Sequence, residues 1–206
     1  MVFLALRFAF RKQKNWEHEW VQLARRTGLN YEGKTLEQLA QEKKREAPEK
    51  IFHVAPPQQP PKLTGSWRGY RVTIDHKKVY YNDNNYRFTR YQIAASIPGN
   101  DKMSLKRRLS VSPFGRFRAP KCTKAMRSEF DLPWNIQIRG EPLSFVRSVL
   151  QRPFVRESLE EIRHPYELRI EDQTLKLGVC RLVIPVDDME SHLNMLTQLA
   201  SLLEAA

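Results

Sequence analysis

The run SWRGYRVTIDHKKVYYNDNNYRFTRYQIAASI, Ser66 to Ile97, decides the fold class. Tyr70, Val72 and Ile74 alternate with Arg71, Thr73 and Asp75, a period of two that marks a strand with one face turned inward. A second strand covers about 77–81. Asn82-Asp83-Asn84-Asn85 is turn chemistry, and it leads back into a third strand from Tyr86 to Ile97, where Tyr91, Ile93, Ala95 and Ile97 share a face. Met103, Leu105, Leu109 and Val111 sketch a fourth, with Lys106 and Arg108 on its opposite side. Local pattern thus predicts a meander of antiparallel neighbours.

Upstream of this run the pattern is helical, then broken. Val2, Leu6, Ala9, Trp16, Trp20 and Leu23 recur three and four apart, which predicts one long helix over 2–27. Gly28 stands where a left-handed terminator belongs, and Gly28–Gly33 is read as a short edge strand. Residues 35–46 read as a second, short helix with Thr35 as its N-cap. Pro48, Pro56, Pro57, Pro60 and Pro61 then mark an extended linker. The expected organisation is a helical arm over 1–46, a linker over 47–63 and an α+β domain over 64–206.

Downstream, residues 112–128 read as irregular and basic. Trp134, Ile136 and Ile138 alternate as a strand; Pro142 and Pro153 each open a helix. Tyr166–Glu171 and Thr174–Ile184 form a hairpin about Asp172-Gln173. Asp187-Asp188-Met189-Glu190 is a capping signature for a final helix that buries Met189, Leu193, Leu196, Ala200 and Leu203. The expected fold class is α+β, a mostly antiparallel sheet covered by helices on one face.

The run FDLPWNIQIRGEPLSFVRSVLQRPFVRESLEEI, followed by YELRIEDQTLKL and the closing helix, resembles a loose group of uncharacterised bacterial proteins. In that group a Phe-Asp strand precedes two helices, a hairpin and a terminal helix. GLNYEG and LTGSWRGYRVTID fit the same group, so the resemblance covers about residues 15–206. It implies a fold and carries over no catalytic residues. Many members have N-terminal membrane segments, and here this chain departs, with only a short apolar arm.

Charge is unevenly distributed. The chain carries a net +12; residues 1–125 hold 26 Lys/Arg against 10 Asp/Glu, and residues 126–206 hold 9 against 13. Such polarity predicts a surface that meets anions. The sharpest stretch is 102–124, where Lys102, Lys106, Arg107, Arg108, Arg116, Arg118, Lys121 and Lys124 occur without an acid and interleave with Phe114 and Phe117. Cations beside aromatics suit nucleic acid; they equally suit an acidic protein or lipid headgroups, and a solvated basic loop is the plain structural reading. In the arm, Phe3, Leu6 and Phe10 with Arg7, Arg11 and Lys14 fit a helix on an anionic membrane surface, against a partner subunit or on the chain's own core.

No catalytic motif emerges. None of His18, His53, His76, His164 and His192 has a metal-site partner at the required spacing, and His18-Glu19 has Gln22 where a second His belongs. Gly65-Ser66-Trp67-Arg68-Gly69 places Trp67, not Ser, at the centre of what would be a nucleophile elbow. Eight glycines form no phosphate loop, and Glu160-Glu161 and Asp187-Asp188 fall on helix surfaces or caps. Cys122 and Cys180 are read as two thiols of a reducing compartment. The expectation is a non-enzymatic accessory or docking protein, cytoplasmic and in one variant at the inner face of a membrane. It would engage an acidic assembly or an anionic membrane surface through a basic face. The alternative is a nucleic-acid binder using 102–124. No cofactor, metal or small-molecule substrate is expected.

Overall fold

In the computed structural model, residues 18–33, 62–81, 84–97, 101–107, 121–133, 135–181 and 184–205 are described. The alternation that begins near Ser66 starts earlier in the structure: Lys62–Trp67 forms β2 and Tyr70–Tyr81 forms β3, hairpinned about Arg68-Gly69. Lys62 and Leu63, read above as the end of the linker, are therefore strand residues, and Leu63 is wholly buried. Arg68 and Gly69 take positive φ, the second at no steric cost because glycine lacks a Cβ. β4, Asn84–Ala94, returns along β3 with Tyr81 opposite Asn84.

The strand after β4 corrects the meander. β5, Lys102–Arg107, does not pair with β4; it pairs with β6 (Ile136–Glu141) and β7 (Tyr166–Glu171). The β7–β8 hairpin, with β8 at Thr174–Val179, fills the gap between them. With β1 (Asn30–Glu32) at one edge, the order is β1-β2-β3-β4-β8-β7-β5-β6, antiparallel at every pairing. The edge strand expected within Gly28–Gly33 is β1.

Five helices accompany the sheet among the described residues. α1 comprises residues 18–27, α2 is Lys121–Phe130, α3 Leu143–Leu150, α4 Pro153–Glu161 and α5 Val186–Glu204. The α+β class expected from sequence is what the chain adopts. α2 corrects the reading of 112–128 as irregular throughout. Of the long helix expected over 2–27, residues 18–27 are helical and the remainder lies outside the described residues, as do helix 35–46 and most of the linker.

One face of the sheet is apolar and the helices cover it. Leu63, Val72, Ile74, Tyr91, Ile93, Leu105, Ile138, Leu168, Ile170, Leu175 and Leu177 all point there with at most 1% exposure. They meet Leu150, Val155, Leu193, Leu196 and Ala200 from the helices in one continuous cluster. Burial of each such large side chain contributes about 1.5–3 kcal/mol. Trp20 and Leu23 of α1 are fully buried in the same cluster, and the Trp20 ring sits 4.5 Å from that of His76 on β3. Gly28 ends α1 with φ +72° and its N–H on the Ala24 carbonyl at 2.9 Å.

The start of α5 departs from its sequence signature. Its N-cap is Pro185, and no side chain of its own segment caps it. Glu19 of α1 accepts the Val186 N–H through Oε2 at 2.7 Å, and Arg26 of α1 pairs with Asp187 at 2.5 Å and Glu190 at 3.6 Å. A carboxylate from a remote helix satisfies one of the orphan N–H groups that every helix start presents.

A candidate docking face on the sheet

Strand geometry sends alternate side chains to opposite faces. The residues that are out of phase with the core therefore share the second face, and none of those described is buried: each is partly or fully exposed. No helix lies over that face among the described residues. Register fixes which of them stand side by side. Glu32, Lys62, Asp75, Arg90, Gly178, Glu167, Lys106 and Gln137 form one row across all eight strands. Its charges alternate in sign on β1 to β4 and again on β7 and β5. Opposite charges directly across a ladder stabilise the pairing by roughly 0.2–1 kcal/mol each.

The row is bonded as its pattern implies. Arg90 grips Asp75 with two nitrogens, Nε to Oδ1 at 2.8 Å and Nη2 to Oδ2. Lys62 reaches Glu32 at 3.5 Å, and Thr64 donates to the same carboxylate at 2.5 Å. Glu167 accepts from Lys106 at 2.8 Å, from Arg169 and from Ser104 at 3.4 Å. Burial works to raise the Glu167 pKa, but the bonds from Arg169 and Lys106 outweigh it and hold the carboxyl below its ordinary value.

The next row runs Asn30, Thr64, Thr73, Gln92, Lys176, Arg169, Ser104 and Arg139. It is neutral on the first four strands and carries only cations on β8, β7 and β6. Lys176 and Arg169 stand directly opposite one another, a like-charge pairing that Glu171 relieves at 3.3 Å and 3.9 Å. Arg139 has no ion-pair partner among the described residues. Adding Arg71, Lys77 and Lys102, the described side chains of this face include nine cations (Lys62, Arg71, Lys77, Arg90, Lys102, Lys106, Arg139, Arg169, Lys176) against five acids (Glu32, Asp75, Glu141, Glu167, Glu171).

The residues singled out from sequence are divided by this arrangement. Lys102 and Lys106 lie on the open face, where Lys102 approaches Asp172 at 3.9 Å. Arg107 is on the core side of β5 and donates to the Ile162 carbonyl at 2.8 Å, so it belongs to the packing of α4's exit. Arg108, Arg116 and Arg118 lie outside the described residues. Lys121 and Lys124 are in α2 rather than on a strand, with their side chains outside the described set. Phe3, Leu6, Arg7, Phe10, Arg11 and Lys14 also lie outside it. The front-half cations are not held apart from the acidic tail: Lys106 meets Glu167, Lys102 meets Asp172, and Arg26 meets Asp187 and Glu190. Sequence reading missed Arg139, Arg169 and Lys176, because each is a single cation in an alternating strand and only register assembles them.

Among the described residues no helix is long and apolar enough to cross a membrane, and no three metal-ligating side chains converge. No protein-family model matches the chain, and no curated protein matches it in sequence. Among solved structures, the crystal structure of the mycobacterial trehalose monomycolate transport factor A, TtfA, is similar at 12% identity, with 88% of this chain and 90% of that chain covered and a TM-score of 0.48.

Proposed function

We propose that this chain is a non-enzymatic docking protein whose open sheet face receives an acidic protein partner. The observation that supports this reading is the face that no helix covers among the described residues: its described side chains include nine cations against five acids, and its second row is charged only by the cations Lys176, Arg169 and Arg139. Complementary charge across an interface steers encounter and fixes register. Cations and acids interleave on this face, a mixed pattern that a protein surface of complementary pattern can match. Stacking platforms are also sparse here, with Phe88 the one aromatic among the described side chains of this face.

The test compares two triple variants of equal charge change. Lys176→Gln, Arg169→Gln and Arg139→Gln together remove the all-cation row; Arg25→Gln, Arg152→Gln and Arg163→Gln remove three exposed cations from elsewhere. Retention on immobilised polyglutamate, read against salt, should fall only for the first set, with a shallower salt dependence. Equal losses for both sets sink the reading. Retention of RNA or anionic vesicles but not polyglutamate would select the nucleic-acid or the membrane alternative instead.

A further inference from the structure

Gly178 sits between Arg90 and Glu167 in the first row and leaves the middle of the open face without a side chain. Both neighbours are turned away from it. Arg90 reaches back to Asp75 on β3, and Glu167 is held by Lys106 and Ser104 of β5. Two residues back along β8, Lys176 leans to Glu171 at 3.3 Å. Among the described residues, chain neighbours aside, only the Phe88 ring and the Glu167 backbone oxygen come within 4 Å of where a Gly178 Cβ would stand. Phe88 Cδ1 is the nearer, at 3.7 Å. The ring thus crosses the diagonal from β4 and lies against bare β8 backbone, as an aromatic shields a strand glycine.

That shielding leaves the ring itself in view. Phe88 is partly exposed, and no helix lies over it among the described residues. β4 and β8 are the two middle strands of the eight. Interfaces concentrate their binding energy near the centre, on aromatic side chains within a polar rim. Directly opposite Phe88 on β3 is Lys77, which is exposed and has no ion-pair partner among the described residues. An aromatic ring and an available cation therefore stand side by side, with Cβ atoms roughly 5 Å apart. They match an apolar side chain next to a carboxylate. We infer that Phe88, lying on Gly178 beside Lys77, is the anchor of the open face, and that the partner seats one aromatic side chain there from an acidic stretch of chain. This rests on the reading of the face as the seat of an acidic protein, and adds what charge alone does not specify. A uniformly acidic chain would satisfy the cations and leave the ring in water.

Two polymers of equal glutamate content separate the contributions: polyglutamate, and a copolymer of glutamate with a minority of tyrosine. The parent protein should half-saturate with the copolymer at a concentration about threefold to tenfold lower than with polyglutamate, the size of one aromatic contact. Phe88→Thr keeps a strand-forming residue and removes the ring; it should bind both polymers with the parent's affinity for polyglutamate. Lys77→Gln should cost copolymer binding more than Arg71→Gln, an equal charge change on the same face away from the ring. Backbone amide NMR localises the contact without any variant: the copolymer, and not polyglutamate, should give ring-current shifts at Gly178 and Lys77. Equal affinity of the parent for both polymers, or copolymer shifts confined to other residues, overturns the anchor and leaves the charge reading standing. A parent that binds neither polymer sinks the charge reading and the anchor with it.

Discussion

His192 of α5 places its ring at right angles to that of Tyr91 on β4, with Nδ1 3.3 Å from the phenol oxygen and both residues enclosed in the core. Burial drives the His192 pKa down to about 4, while Asp188 one turn earlier works weakly the other way. Burial also pushes the Tyr91 hydroxyl far up, so the pair is neutral in the folded protein. In the unfolded chain the same imidazole titrates near its ordinary value of about 6.5.

The linkage follows from those two values. The unfolded state binds a proton first as pH falls, so stability present above about pH 6.5 declines progressively and is lost as pH passes through about 4. The loss is of the order of 3 kcal/mol. It precedes the losses from carboxylates such as Glu167 and Glu32, whose lowered values place their effect at more acid pH. Denaturant melts between pH 7 and pH 4.5 should show the decline, and His192→Gln should flatten it. An unchanged pH profile in that variant would remove His192 from the account.

Gly140 and Gly178 test the packing of the two sheet faces. A Cβ at Gly140 would lie 2.5 Å from Val146 Cγ2 on α3 and 2.6 Å from the backbone oxygen of Lys102, which cannot move aside. Gly140→Ala should cost about 1–3 kcal/mol through displacement of α3 from β6. At Gly178, on the open face, the nearest atom would be Phe88 Cδ1 at 3.7 Å. Gly178→Ala should leave the melting temperature within a few degrees of the parent. Thermal melts of both proteins check the contrast.

Trp20 carries the argument that α1 belongs to the sheet's core. It is fully buried, and its ring contacts His76. Trp20→Ala should cost about 3–5 kcal/mol, as for other large core aromatics. Substitutions at the surface usually stay within about 0.5 kcal/mol, so a cost below about 1 kcal/mol in urea titration would show that α1 is dispensable to folding.

Glu167 restrains two of the cations on the open face of the sheet. Glu167→Gln would release Lys106 and Arg169 from their shared carboxylate and remove one acid from the surface. Polyglutamate retention should then persist to higher salt, with little change in stability, because partly exposed ion pairs of this kind contribute about 0–1 kcal/mol. Weaker retention would contradict an anion-receiving face.

The elements were far more legible than their arrangement. Period-two runs located the strands around Val72, Ile93 and Leu168, and three-and-four spacing located α5, because each face must be apolar where it is buried. Strand order was not legible: nothing in the sequence around Leu105 says that Leu168, sixty residues on, lies beside it and that Ile93 does not. Leu63 was lost in a proline-rich stretch because one apolar residue makes no period. The cap at Val186 was misread because its acceptor is Glu19, not Asp187, whose carboxylate turns to Arg26. The candidate face was legible only as Lys102 and Lys106, since cations on separate strands acquire a common surface through register alone.

The Glu19–Val186 bond has a consequence for the order of events during synthesis. Its two ends are 167 residues apart, so the donor leaves the ribosome only after nearly every other described element has been made. The early helix must hold its carboxylate in water through that interval, and closing the clasp is among the last steps open to the nascent chain.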